Sequence, residues 1–184
     1  MGKKLCEMTL EELWELFPIV LTEHDDRWDE YFAEESEKLK AVLPHDAVIN
    51  HIGSTAIKRI WAKPTIDILV EVSGNLADVA VSLINSGYTK MSEDETRISF
   101  NKGYTESGFA KKVYHLHLRR HGDNDEIYFR DYLNAHDETA KEYETLKLGL
   151  WKKFEHDRDG YTNAKSESIE KYTEIAKKAV KNKS

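Results

Sequence analysis

Chemistry along this chain concentrates first at His51-Ile52-Gly53-Ser54-Thr55, where an apolar run ends in a glycine followed by two hydroxyl residues. Backbone N–H groups and hydroxyls at such a corner can converge on phosphate oxygens. An ordinary tight turn capping a short helix uses the same residue types, so Gly53, Ser54 and Thr55 alone do not decide between the two. Lys63 precedes Pro64, which holds it extended and projects its ammonium from the entrance of the next strand; a surface lysine would read the same way. Asp67 lies inside the apolar run Thr65–Val70, and a carboxylate there must be paired, hydrogen-bonded or metal-bound, because burying it bare is costly. Strand alternation puts Leu69 and Glu71 on its face, but Glu71 is about 13 Å along at ~3.3 Å per residue, too far to share a metal, and reads as a solvated strand end. His115 and His117 alternate on a later basic strand, where two imidazoles can chelate a metal or meet a phosphate. Two half-exposed histidines bonded to neighbours are the competing reading.

No Cys-x-x-Cys or His-Glu-x-x-His accompanies them, so a structural zinc site is not expected. Nucleophile elbow, Walker loop and dinucleotide fingerprint are likewise missing from the sequence. The formal charge of −7 disfavours a nucleic-acid partner bound over the whole surface. Two acid-free stretches break the acidic average, Ser54–Ile66 and Lys111–His121. Together they carry seven Lys and Arg, where mean composition would give about 3.5, and no Asp or Glu, where it would give about 4.4. A phosphate ligand would therefore be held locally.

These residues need a scaffold, and 184 residues at 40 % hydrophobic suffice for one domain burying roughly 70 % of its extended-chain surface. Thr9 and Glu12 form a capping box opening a helix that Pro18 stops. A longer amphipathic helix runs from Asp25 or Asp26 to Leu43, with Trp28, Phe32, Leu39 and Leu43 on its stripe. Strands are expected over 47–52, 65–72, 88–91, 96–102 and 112–120, with a helix over 76–84 closed by Gly87. Asn101-Lys102-Gly103 and Ser107-Gly108 supply turn chemistry between the last two strands. Helices follow over 126–135, 137–154 and about 162–181. The expectation is an α+β (mixed α/β) domain spanning 1–184, with a core sheet over about 18–121, a helical C-terminal part over about 125–181, and one continuous core. No apolar run approaches ~18 residues, so no membrane span is expected. The lone Cys6 fits a reducing, cytoplasmic setting. Gly2 suggests myristoylation, but that pattern wants Ser or Thr where Cys6 stands.

The runs His51–Ala56 and Ala62–Val70, with His115-Leu116-His117, Phe129–Leu133, Tyr143–Lys147 and Tyr161–Lys165, resemble the GrpB family, placed in the nucleotidyltransferase-fold superfamily. The chain is also similar to the domain fused to dephospho-CoA kinase in some organisms. The resemblance spans nearly the whole chain and implies a small mixed sheet flanked by helices. It further implies that Gly53, Ser54 and Thr55 contact phosphates, Lys63 neutralises them, Asp67 holds Mg2+ or Mn2+, and His115 and His117 line the same cleft. Arg130 would fork onto a phosphate or acceptor carboxylate, and Lys147 and Lys165 would reach in from covering helices. Solvated helix faces and structural ion pairs are the alternative for these three.

Active members of that superfamily carry a second acid two residues after the first and another on a later strand. Here those places hold Leu69 and the histidines. The expected function is metal-dependent transfer of a nucleotidyl group from an NTP to a small acceptor, with Asp67, His115 and His117 catalytic. The alternatives are an inactive nucleotide-binding, phosphometabolite-binding or protein-interaction module, and a phosphohydrolase using the two histidines.

Overall fold

The computed structural model describes residues 3–182; Gly2, and with it the acylation question, lies outside them. Five strands form one mixed sheet: β1 (Val48–Ile52), β2 (Ile66–Val72), β3 (Thr89–Glu93), β4 (Arg97–Thr105) and β5 (Gly108–Arg120). Their spatial order is β1-β2-β5-β4-β3, with β2 and β5 parallel and the other pairs antiparallel. Among the described residues six α-helices flank it: α1 (Leu10–Leu16), α2 (Arg27–Lys40), α3 (Leu76–Asn85), α4 (Asp125–Ala135), α5 (Asp137–Trp151) and α6 (Arg158–Lys181). The fold is thus the mixed α+β domain expected. Among the described residues no helix is long and apolar enough to cross a membrane.

Alternation along the central strands divides the sheet into two unlike faces. Ile66, Ile68, Val70 and Val72 of β2, with Leu116 and Leu118 of β5 and Phe100 of β4, pack against Trp28 and Leu39 of α2 and Leu76, Val79 and Leu83 of α3. Each fully buried Leu, Ile or Phe contributes about 1.5–3 kcal/mol, so this face carries the main core. The opposite face carries the polar residues in register: Asp67 beside His115 and Asn101, Leu69 beside His117 and Ser99, Glu71 beside Arg119 and Arg97.

Buried side chains do not form the single continuous core expected. Two smaller clusters lie under the C-terminal helices: Ile57 and Ile60 with Phe129, Leu133, Ala140, Tyr143 and Tyr172, and Ile19 and Leu21 with Tyr161. The chain between β1 and β2 is therefore packed onto the helical third.

Four local readings are corrected. Glu71 is not solvated: it is 4 % exposed, and its Oε1 accepts from the Gly122 N–H at 2.9 Å and Asn124 Nδ2 at 3.0 Å. Asn101-Lys102-Gly103 is not a turn, because β4 continues to Thr105 and the hairpin closes against Gly108. Instead Lys102 faces Tyr114 while Tyr104 faces Phe109, so Gly103 alone stands opposite residues 110–113. That irregularity needs glycine: Gly103 has φ +92°, and a Cβ there would lie 2.3 Å from the Lys112 carbonyl oxygen. Finally, α5 stops at Trp151, and α6 begins at Arg158, four residues before the expected start, because Asp157 caps it by accepting from the Gly160 N–H at 2.8 Å.

Candidate phosphate-binding site

The site begins where β1 ends. Ile52 pairs with Asp67 across the antiparallel ladder, which lays Gly53 directly over the Asp67 carboxylate. Gly53 has φ +71° and ψ −170°, and a Cβ would fall 2.3 Å from Asp67 Oδ2. The glycine is thus required both by its backbone and by the approach. Ser54 then opens the one-turn 3-10 segment Ser54–Ala56. Thr55 is turned inward, 1 % exposed, its hydroxyl donating to the Thr65 carbonyl at 3.1 Å and lying 2.9 Å from His51 Nε2. Its hydroxyl is thus turned away from the loop's outer side and closes the loop.

Asp67 sits at the centre. His115 Nδ1 is 3.3 Å and His117 Nε2 3.7 Å from Asp67 Oδ1. Burial alone would raise the Asp67 pKa, but these two imidazoles outweigh it and hold the carboxyl far below the usual range. A carboxylate only accepts, which assigns the His115 proton to Nδ1 and leaves Nε2 as an acceptor. That nitrogen meets the Tyr104 hydroxyl at 2.7 Å and Arg158 at 3.4 Å. Burial lowers the His115 pKa more than Asp67 raises it, so the ring is held neutral.

Around this pair the chain gathers cations. Burial, then the charges of Arg158 and Lys165, lower the Lys63 pKa to about 7. Burial and Lys165 lower Lys147 to about 7, and burial and Arg158 lower Lys165 to about 8 despite the attraction of Asp67. Lys147 is 1 % exposed; its ammonium donates to the Trp61 carbonyl and lies 5.0 Å from the Tyr143 ring centroid. Lys165 lies 4.1 Å from the Tyr161 centroid, and Lys63 5.0 Å from that of Phe109.

The helical third positions the loop that carries Lys63. Asn134 of α4 accepts from the Lys58 N–H and donates to the Ala56 carbonyl, each at 2.9 Å. Glu144 of α5 accepts from the Trp61 N–H at 2.6 Å. Arg130 serves the same end: its guanidinium donates to the His51 carbonyl at 2.7 Å and pairs with Asp131 at 2.7 Å, fixing the end of β1. The structure therefore brings Gly53, Ser54, Lys63, Asp67, His115, His117, Lys147 and Lys165 together, and assigns Thr55 and Arg130 to support. Sequence reasoning missed Arg158 and Tyr104. Arg158, Tyr161 and Lys165 stand at i, i+3 and i+7, which puts all three on one side of α6.

Mg2+ takes oxygen ligands in near-octahedral geometry, and Mn2+ also favours oxygen. The positions flanking Asp67 on its face are Thr65 and Leu69, its oxygens face two imidazoles, and the surrounding charge is positive. Among the described residues no three His, Cys, Asp or Glu side chains gather as a metal-binding group. The residues present do not fit a resident divalent cation.

A mixed sheet with one apolar and one polar face, and a glycine loop laid over a buried carboxylate, define an α+β domain whose chemistry gathers on the polar face. The family model described as GrpB protein matches residues 18–175, and the chain belongs to the GrpB family, as its motifs led one to expect. Glutamate-rich protein GrpB of Alkalihalophilus pseudofirmus is 37 % identical over 162 residues, 83 % of this chain and 92 % of that protein. The protein YqkA of Bacillus subtilis is 33 % identical over 184 residues, covering 95 % of this chain but 53 % of YqkA, so the chain spans about half that relative's length. The crystal structure of conserved protein GrpB from Enterococcus faecalis superposes with a TM-score of 0.76 at 29 % identity, covering 88 % of this chain and 99 % of that one.

Proposed function

We propose that this chain binds the phosphate groups of a nucleotide or other phosphorylated small molecule on the polar sheet face, between Asp67 and the lysines of the covering helices. One observation carries the reading: Lys63 of the β1–β2 connection and Lys165 of α6 both bear on Asp67, Arg158 of α6 meets its partner His115, and Lys147 of α5 bears on Lys165. Their mutual repulsion and burial are costly in the free protein and are relieved when a polyanion enters. Gly53 and Ser54 offer backbone and hydroxyl donors at the same point, and Tyr104 and neutral His115 close the side towards β4. Calorimetric titration with inorganic tripolyphosphate and the four NTPs tests the reading. Wild type should bind, and Lys165→Met should bind at least about tenfold more weakly, 1.4 kcal/mol. Equal affinities would overturn it.

A second reading, metal-dependent nucleotidyl transfer from an NTP to a small acceptor, is supported by the permanently ionised Asp67 beside a neutral imidazole. Any Mg2+ or Mn2+ would have to arrive with the substrate's phosphates. Pyrophosphate release from an NTP that requires the metal and disappears in Asp67→Ala would establish it, and release unchanged in that variant would remove Asp67 from the chemistry.

A further inference from the structure

The irregularity in the β4–β5 hairpin builds a second feature beside the lysines. Residues 110–113 of β5 stand opposite Gly103 alone, so the ladder is irregular there. A cavity of about 110 Å³ opens there, walled by Pro18, Val20, Pro64, Phe109 and Val113, with Lys63 along one side. Three properties make it a candidate subsite. No acidic side chain lines it, and its walls are chiefly apolar with one aromatic ring. Val113 lies two residues before His115, about 7 Å along the strand, so the cavity is one short molecular span from the Asp67–His115 pair. Lys63 belongs to both places: it lies over the Phe109 ring, and its charge is coupled to Asp67, Arg158 and Lys165.

We propose that this cavity receives an uncharged ring carried by the ligand whose phosphates lie on the lysine cluster, such as the base of a nucleotide. The inference rests on the phosphate-binding reading and narrows it, from phosphorylated molecules in general to those with a ring next to the phosphates. The volume holds about three to four waters, space for a single ring and not for a whole nucleoside. Lys63 is the hinge of the arrangement, its stem shared with the ring and its ammonium with the phosphates.

The test compares inorganic tripolyphosphate with ATP and UTP by calorimetry, on wild type and on Val20→Trp and Ala110→Trp. Both substitutions fall at exposed positions lining the cavity, so an indole can fill it, and circular dichroism melts check that each variant folds. At least one nucleotide should bind wild type about tenfold or more above tripolyphosphate. That advantage should vanish in a folded tryptophan variant while tripolyphosphate binding holds, and the choice between ATP and UTP identifies the ring. If both nucleotides match tripolyphosphate, or their advantage survives the tryptophans, the ring subsite is wrong and the phosphate reading stands. If tripolyphosphate and nucleotides alike fail to bind wild type, both fall.

Discussion

Gly53→Ala probes the closest approach in the site. Two costs arise. The backbone, at φ +71° and ψ −170°, lies in a region nearly confined to glycine, where another residue costs about 1–3 kcal/mol. The new methyl would also stand 2.3 Å from Asp67 Oδ2 and 2.9 Å from its Cγ, and overpacking of that kind costs about 1–3 kcal/mol more. A loss of about 4 kcal/mol lowers the melting temperature by roughly 10 °C in a domain of this size. Gly122 supplies the control: its φ is +89°, but nothing lies within 4 Å of a Cβ there, so Gly122→Ala should show only the backbone cost, about 1–2 kcal/mol. Because the clash is with Asp67, the excess should shrink when Gly53→Ala is made in an Asp67→Ala background, giving a coupling energy of about 1–3 kcal/mol. Thermal and urea unfolding of the four single and double variants measure it. Equal losses for Gly53→Ala and Gly122→Ala, with no coupling to Asp67, would refute the account of the loop.

Lys165 has its pKa lowered from 10.5 to about 8, so between those values the unfolded chain binds more protons. Its destabilising contribution is therefore complete below about pH 8 and fades towards pH 10.5; Lys165→Met should melt above wild type at pH 7 and converge with it near pH 10, and a lower melt at both would contradict this. A polyanion restores the lysine charge, so tripolyphosphate binding at pH 8 should take up protons, seen as a binding enthalpy that varies with the buffer's ionisation enthalpy; no variation would refute it. Glu71→Ala strands the two donors that Glu71 Oε1 satisfies and should cost about 2–4 kcal/mol in urea unfolding, largely recovered by Glu71→Gln. Asn134→Ala should cost about 1–3 kcal/mol and speed exchange of the Lys58 amide, whose bond it removes.

The fold was legible where alternation or helical spacing ran uninterrupted. Ile66–Val72 and the α2 stripe needed no tertiary knowledge, because one buried face fixes the pattern. Failures fell where distant chain intervenes. Glu71 looked solvated at a strand end, but its partners are some fifty residues on. Tyr104 was hidden because Asn101-Lys102-Gly103 has turn composition, whereas Gly103 serves a bulge set by the Lys112 carbonyl opposite. Arg158 was lost by starting α6 at Thr162, although Asp157 and Gly160 mark the true start. For Thr55, the residue type was right for a phosphate loop but its direction was decided by Thr65 and His51.

The helical third is part of the site and not an addition to it. An acidic chain can hold a cationic pocket only if its lysines are kept from solvent and from neutralising acids, and α5 and α6 do both. Lys147 and Lys165 come from these helices, while Glu144, the acid that bears on Lys147, spends its oxygens on the Trp61 N–H and Lys141. Ile57 and Ile60, beneath α4, α5 and α6, tie the same helices to the loop that ends in Lys63. Burial of those two side chains contributes about 3–6 kcal/mol, which helps offset the repulsion stored among the lysines. Removing the helices after residue 121 would therefore take away two of the three lysines and also release the third, so the proposed phosphate binding and the loop's packing should be lost together.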